Sequence, residues 1–102
     1  MALTGKQRRY LRGLGHSLAP VVTVGKEGLS PTLAAAIDQA LLDHELIKVR
    51  IGQNAILDRH EAAERLAGDS GSEAVQVLGS TILLYREHAE APRIRLPHAR
   101  VE

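Results

Sequence analysis

Apolar positions along this chain follow two periods. Gln7, Leu11, Leu14 and Leu18 lie three or four residues apart. At about 100° per residue they form one stripe of a helix. The spacing predicts a helix over about residues 5–18, ending before Pro20. Thr4-Gly5-Lys6-Gln7 has the form of a capping box, the Thr hydroxyl accepting the N3 amide and Gln7 reaching back. Gly5, Gly13 and Gly15 weaken this helix, so packing must hold it in place. Val21-Val22-Thr23-Val24 is a β-branched run and reads as a strand, followed by a turn at Gly25-Lys26-Glu27-Gly28. Ser30 caps a second helix with Pro31 at its first position. Leu33, Ile37, Ala40, Leu41 and His44 line its inner face, and Asp38 and Asp43 its solvated side. From Leu46 to Ile51 the period changes to two: Ile47, Val49 and Ile51 on one side, Lys48 and Arg50 on the other.

Asp58 caps a third helix, with Glu61 placed to complete a second box. Ala62, Ala63, Leu66 and Ala67 give it a modest apolar face, and Gly68 to Gly71 end it. Residues 74–78 and 81–85 are apolar runs around Gly79-Ser80, a pair suited to a type II′ hairpin. Beyond Arg86 the chain is polar and carries Pro92 and Pro97, which predicts an extended tail with a short edge strand at Ile94 to Leu96. The order is αβαβαββ. Strand–helix–strand units imply parallel pairs with right-handed crossovers, and the hairpin adds an antiparallel pair. The expected fold is α/β (α+β): a two-layer arrangement of helices on a four-stranded mixed sheet. Residues 1–97 are expected to form one domain and 98–102 a mobile tail.

The chain has 102 residues, 44% hydrophobic and 25% charged, a globular composition sized for one domain. Cysteine is absent, which excludes disulfides, thiolate metal sites and cysteine nucleophiles. Trp and Phe are absent and Tyr10 and Tyr85 are the only Phe, Trp or Tyr residues, so recognition by several stacked rings is not expected. The net charge of +1 hides an asymmetry. Residues 1–30 carry five Lys and Arg against one Glu, a balance of +4; residues 31–102 carry eight against eleven, or −3. A basic first third suggests a face built for an anion. No apolar run approaches the roughly 20 residues of a membrane span.

Two features fit that anion. Arg8, Arg9, Arg12 and His16 fall opposite the apolar stripe of the first helix, with Lys6 beside them. Gly25 and Gly28, between strand and helix, allow positive φ and close approach of a ligand backbone, and Lys26 adds a cation between them. Amides of this turn, with the N-terminus of the second helix just after it, can receive phosphate oxygens. A Gly-x-x-Gly loop that clamps a nucleic-acid backbone is the device of KH domains. A strand of about four residues joins the basic helix to the loop, so both can serve one surface and contact several phosphates.

Other residues favour structural roles. His60-Glu61-Ala62-Ala63-Glu64 lacks the final His of the zinc-protease pattern, and Glu61 is explained as the partner of the Asp58 cap. His44 is expected as a hydrogen-bonded core or boundary residue, and Tyr10 as a packing residue at the border of the apolar stripe. His88 and His98 lack ligand spacing, and Ser17, Ser30 and Ser70 lack a base and acid around them. No nucleophile elbow, Walker loop or carboxylate dyad is present.

Leu3-Thr4-Gly5-Lys6-Gln7-Arg8-Arg9-Tyr10-Leu11-Arg12, Val24-Gly25-Lys26-Glu27-Gly28-Leu29 and Asp43-His44-Glu45-Leu46-Ile47-Lys48-Val49 together resemble the CRM domain, a module named for chloroplast RNA splicing and ribosome maturation. Val75-Gln76-Val77-Leu78-Gly79 and Leu84-Tyr85-Arg86 also fit. The likeness is to the stand-alone bacterial YhbY type and spans residues 3 to about 97. It implies a fold like the C-terminal domain of translation initiation factor three, binding to structured RNA, and association with precursors of the large ribosomal subunit. Carried over residue by residue, the implied RNA surface is Gly25, Lys26 and Gly28, with Lys6, Arg8, Arg9 and Arg12 beside them.

The leading expectation is therefore a non-enzymatic RNA-binding protein of the cytoplasm that acts in ribosome assembly. Its expected partner is ribosomal RNA, with no cofactor, metal, membrane or small-molecule substrate. A protein-interaction or regulatory module, docking an acidic partner on the basic helix, is the alternative. A small enzyme or metal protein using His60 and Glu64 is a third.

Overall fold

The computed structural model describes residues 3–55 and 57–98. The chain runs α1 (Gly5–Gly15), β1 (Pro20–Val24), α2 (Pro31–His44), β2 (Leu46–Ile51), α3 (Arg59–Ser70), β3 (Glu73–Leu78) and β4 (Thr81–Tyr85). The expected order, three helices with a four-stranded mixed sheet in an α+β fold, is observed. Local chemistry accounts for the element starts. Thr4 Oγ1 accepts the Gln7 amide at 3.1 Å and the Gln7 side chain accepts the Thr4 amide at 3.0 Å, a complete capping box. Ser30 Oγ accepts the Leu33 amide, with Pro31 beginning α2. Asp58 accepts the amides of His60 and Glu61, so Glu61 serves the cap through its backbone.

The strands lie in the order β1-β2-β4-β3. β1 and β2 are parallel, with Thr23 beside Arg50 and Val24 beside Ile51. The parallel neighbours expected across α3 do not form, because β4 inserts between β2 and β3 and is antiparallel to both. Composition explains the exchange. β4 is Thr-Ile-Leu-Leu-Tyr and is buried on both faces from Ile82 onward, whereas β3 carries Glu73 and Gln76 and suits an edge. Gly79 opens the β3–β4 turn with φ 58°, as the first position of a type II′ turn requires.

α2 and α3 cover one face of the sheet. Ile37 and Leu41 of α2 and Ala62, Ala63 and Leu66 of α3 pack on Val24, Ile47, Val49, Ile82 and Leu84. These two helices and the sheet make the expected two layers. α1 departs from them and crosses the opposite face, where Leu3 and Leu11 pack on Leu46, Val75, Leu83 and Tyr85. The physical reason is that the central strands are apolar on both sides, so the second face also needs cover. α1 is shorter than the apolar spacing predicted: it ends at Gly15, and Leu18 lies beyond it. Leu14 and Leu18 remain 40% and 37% exposed and, with Val21 and the exposed His44, border an apolar hollow of about 340 Å³. His44 is thus a surface residue at the end of α2, not the core or boundary histidine expected.

The segment after β4 forms no edge strand at Ile94 to Leu96. It docks instead as irregular chain, with Ile94 and Leu96 against the core beneath α1. Gln7 Nε2 donates to the Pro97 carbonyl at 3.1 Å. Glu45 is the main anchor. It ends α2 at φ 64°, is fully buried, and its carboxylate accepts backbone N–H groups of His88, Arg93 and Ile94, each at 2.8 Å. Burial alone pushes this carboxyl up, but the three amides and the nearby Arg93 charge outweigh it and hold its pKa below the ordinary value of 4.5. Arg86 adds an ion pair to Asp38 at 2.8 Å. Of the terminal residues expected to be mobile, 99–102 lie outside the described residues.

Candidate nucleic-acid interface

The glycine turn follows the C-terminal end of β1. The Gly28 amide closes it by donating to the Gly25 carbonyl at 3.0 Å, and Gly28 has φ 70°, a conformation that favours glycine. Lys26 and Glu27 are both exposed here. The amides available to an anion are fewer than sequence reasoning suggests. In the first turn of α2, Pro31 has no N–H, Leu33 donates to Ser30 Oγ and Ala34 to the Ser30 carbonyl. Thr32 is then the remaining amide of that turn, beside those of Lys26 and Glu27 in the loop. The loop and the exposed side of α2 border a cleft of about 590 Å³, lined in part by Lys26, Gly28, Ser30 and Thr32.

The basic residues of α1 divide into two groups. Lys6 and Arg9 are exposed and point from the helix into solvent. Arg8 and Arg12 are half-buried along the flank that meets the sheet. Arg8 Nη1 donates to the Ala74 carbonyl at 3.0 Å, beside the irregularity in β3 between Ala74 and Gln76 that disturbs the ladder there. It therefore stitches α1 to the outer strand as well as carrying charge. Arg12 lines a second cleft, of about 330 Å³, with His16, Lys48 and Gln76.

Gly25, Lys26 and Gly28 are thus not in one cleft with Lys6, Arg8, Arg9 and Arg12. What links them is β2. Strand alternation puts Lys48 and Arg50 on the α1 side of the sheet, since Ile47, Val49 and Ile51 face α2 and α3. Arg50 stands beside Thr23, two residues before the loop, and Lys48 reaches the cleft under Arg12. A row of cations therefore runs from Arg12 of α1 over Lys48 and Arg50 of β2 to Lys26 in the loop; no carboxylate lines the cleft at its α1 end, whereas Glu27 lines the one at the loop. Sequence reasoning placed Lys48 and Arg50 on a polar strand side without assigning them to the anion surface. The signal was the two cations at period two, but which face α1 covers was needed to use it.

His60 and Glu64 sit exposed on α3. No group of three or more His, Cys, Asp or Glu side chains able to hold a metal occurs among the described residues. Among those residues no helix is long and apolar enough to cross a membrane.

This geometry, a mixed sheet with a basic helix across one face and a glycine loop at the end of its first strand, defines a class of domain that comparison with known proteins identifies. The solution structure of SAV1595 from Staphylococcus aureus, described as "a putative RNA binding protein", superposes with a TM-score of 0.80 at 47% sequence identity, covering 94% of this chain and 100% of that one. In sequence, the chain is 45% identical over 95 residues to "Probable RNA-binding protein YqeI" of Bacillus subtilis, covering 93% of this chain and 99% of that protein. It is 39% identical over 88 residues to "Probable RNA-binding protein PA4753" of Pseudomonas aeruginosa, covering 86% and 85%. The CRS1 / YhbY (CRM) domain matches residues 3–86. The chain belongs to the CRS1 / YhbY (CRM) domain family, as its sequence motifs led us to expect.

Proposed function

We propose that this protein binds RNA, that it associates with ribosomal RNA in precursors of the large ribosomal subunit, and that it aids their assembly. The observation that carries the reading is the basic row from α1 through Lys48 and Arg50 to the Gly25–Gly28 loop. The names of the relatives support RNA as the polyanion, and the resemblance to the CRM domain supports the ribosome.

In this mechanism Gly25 and Gly28 leave the loop backbone bare, and the amides of Lys26 and Glu27 receive phosphate oxygens beside the Lys26 ammonium. Lys6, Arg9 and Arg12 reach further phosphates from α1, while Lys48 and Arg50 fill the span between. Arg8 contributes charge while it holds α1 to β3. Tyr85 is buried, so Tyr10 is the one tyrosine ring exposed to RNA. Recognition rests on the backbone and shape of folded RNA, not on stacked rings. The protein acts without catalysis or cofactor, in the cytoplasm.

Crosslinking in cells, followed by sequencing of the bound RNA, tests this reading. We expect reads concentrated on precursor RNA of the large subunit. Reads spread in proportion to RNA abundance would remove the ribosomal part, and an absence of crosslinked RNA would remove the whole.

A further inference from the structure

The cleft beneath the end of α1 has features that a surface for backbone phosphates does not need. Its volume of about 330 Å³ lies at the lower end of pockets that hold small organic ligands, roughly 300–1,000 Å³. That suits a single nucleotide and not a duplex. Its floor is apolar, formed by Leu83 against Gly15. Leu78, at the end of β3, stands 63% exposed at its edge, a large apolar side chain that the core does not use. Two cations share this lining, Arg12 from α1 and Lys48 from β2, which is the strand neighbour of Leu83, and the His16 imidazole stands at the same cleft. Gln76, half-buried in the lining, has an amide that both donates and accepts, as recognition of a base edge requires. Thr81 Oγ1 donates to the Leu78 carbonyl at 2.8 Å, which leaves its lone pairs for a ligand donor.

Gly13 is an independent observation. It lies in the last turns of α1 and lines the same cleft, yet a Cβ built there meets no atom within 4 Å. Glycine weakens a helix relative to alanine. The fold gains nothing visible in return. Gly15 contrasts with it, since a Cβ there comes within 2.7 Å of the Leu83 side chain, which would have to shift to make room. A bare backbone at Gly13 is what a ligand in close contact with α1 would need.

We propose that this cleft takes one unpaired nucleotide of the RNA. The base lies between Leu78 and the Gly13 backbone with its edge toward Gln76, and its phosphate meets Arg12 and Lys48. The inference rests on the RNA-binding reading above and narrows its substrate class to RNA with a bulged or looped-out nucleotide.

The test compares two RNA hairpins, one a perfect duplex and one with a single bulged nucleotide, against the full chain and its Gly13→Ala and Gln76→Leu variants. The parent should bind the bulged hairpin about tenfold more tightly, the effect of one well-placed base contact. Both variants should lose most of that preference, and Gly13→Ala should melt no lower than the parent. Equal affinity of the parent for both hairpins would overturn the nucleotide pocket while leaving RNA binding intact. Binding to neither would overturn the RNA reading itself. A preference that survives in both variants would overturn its placement in this cleft, and a lowered melting temperature for Gly13→Ala would overturn the ligand as the reason for that glycine.

Discussion

Glu45 shows how one residue joins distant parts of the chain. It is fully buried at the end of α2, with backbone partners 43 to 49 residues away. A carboxylate that accepts three amides is stabilised as the anion, and its pKa in the folded state lies below 4.5. The folded state therefore binds the proton less readily than the unfolded chain. The stabilisation is complete above the ordinary carboxyl value and disappears as pH falls through the lower folded value. Protection of the amides of His88, Arg93 and Ile94 against hydrogen exchange, relative to their intrinsic rates, should fall over that acidic window ahead of that of the β4 amides. Glu45→Gln removes the charge and presents an N–H₂ donor to a site of donors. We expect a loss of about 1–3 kcal/mol in urea unfolding and faster proteolysis after Arg86. Unchanged unfolding in that variant would contradict the anchor. None of this was legible in the sequence, where Glu45 is one of twelve acids and its partners are backbone groups of a polar tail.

At the scale of elements, the caps, the glycine turn and β2 were legible because each depends on neighbours within a few residues. Thr4 with Gln7, Ser30 with Pro31, and Asp58 carry their chemistry in the local chain. The insertion of β4 between β2 and β3 was less legible. It depends on comparing the apolar content of two strands, not on the hairpin that joins them. The side of the sheet chosen by α1 was less legible still. An apolar stripe says that a helix is buried but not against what. Close packing between Gly15 and Leu83 fixes that choice, with Leu11 fully buried beside it. Gly15→Ala should therefore destabilise the domain by about 1–3 kcal/mol through overpacking, despite the better helix propensity of alanine. Thermal unfolding measures it, and a rise in melting temperature would show that α1 floats free of Leu83.

For the whole molecule, the charge asymmetry read from the sequence becomes a spatial one. The basic first third supplies both α1 and the loop, and β2 lies between them with Lys48 and Arg50 on the α1 side. Lys6, Arg9, Lys26 and Arg50 are exposed, so counterions condensed on RNA would be released as these side chains replace them. Fold and charge thus depend on largely separate residues. The apolar faces hold the sheet between two helical covers, while the cations project from the outer side of α1 and from the strand and loop beyond its end.

The most direct measurement is the salt dependence of RNA affinity for the parent and for the double variant Lys26→Ala with Arg9→Ala. Both side chains are exposed, so the variant should keep the melting temperature of the parent. If both meet phosphates, affinity falls and the slope of log affinity against log salt becomes shallower by about 1.4–1.8, from two lost contacts at about 0.7–0.9 each. The same affinity and slope in parent and variant would contradict the basic row as the RNA surface.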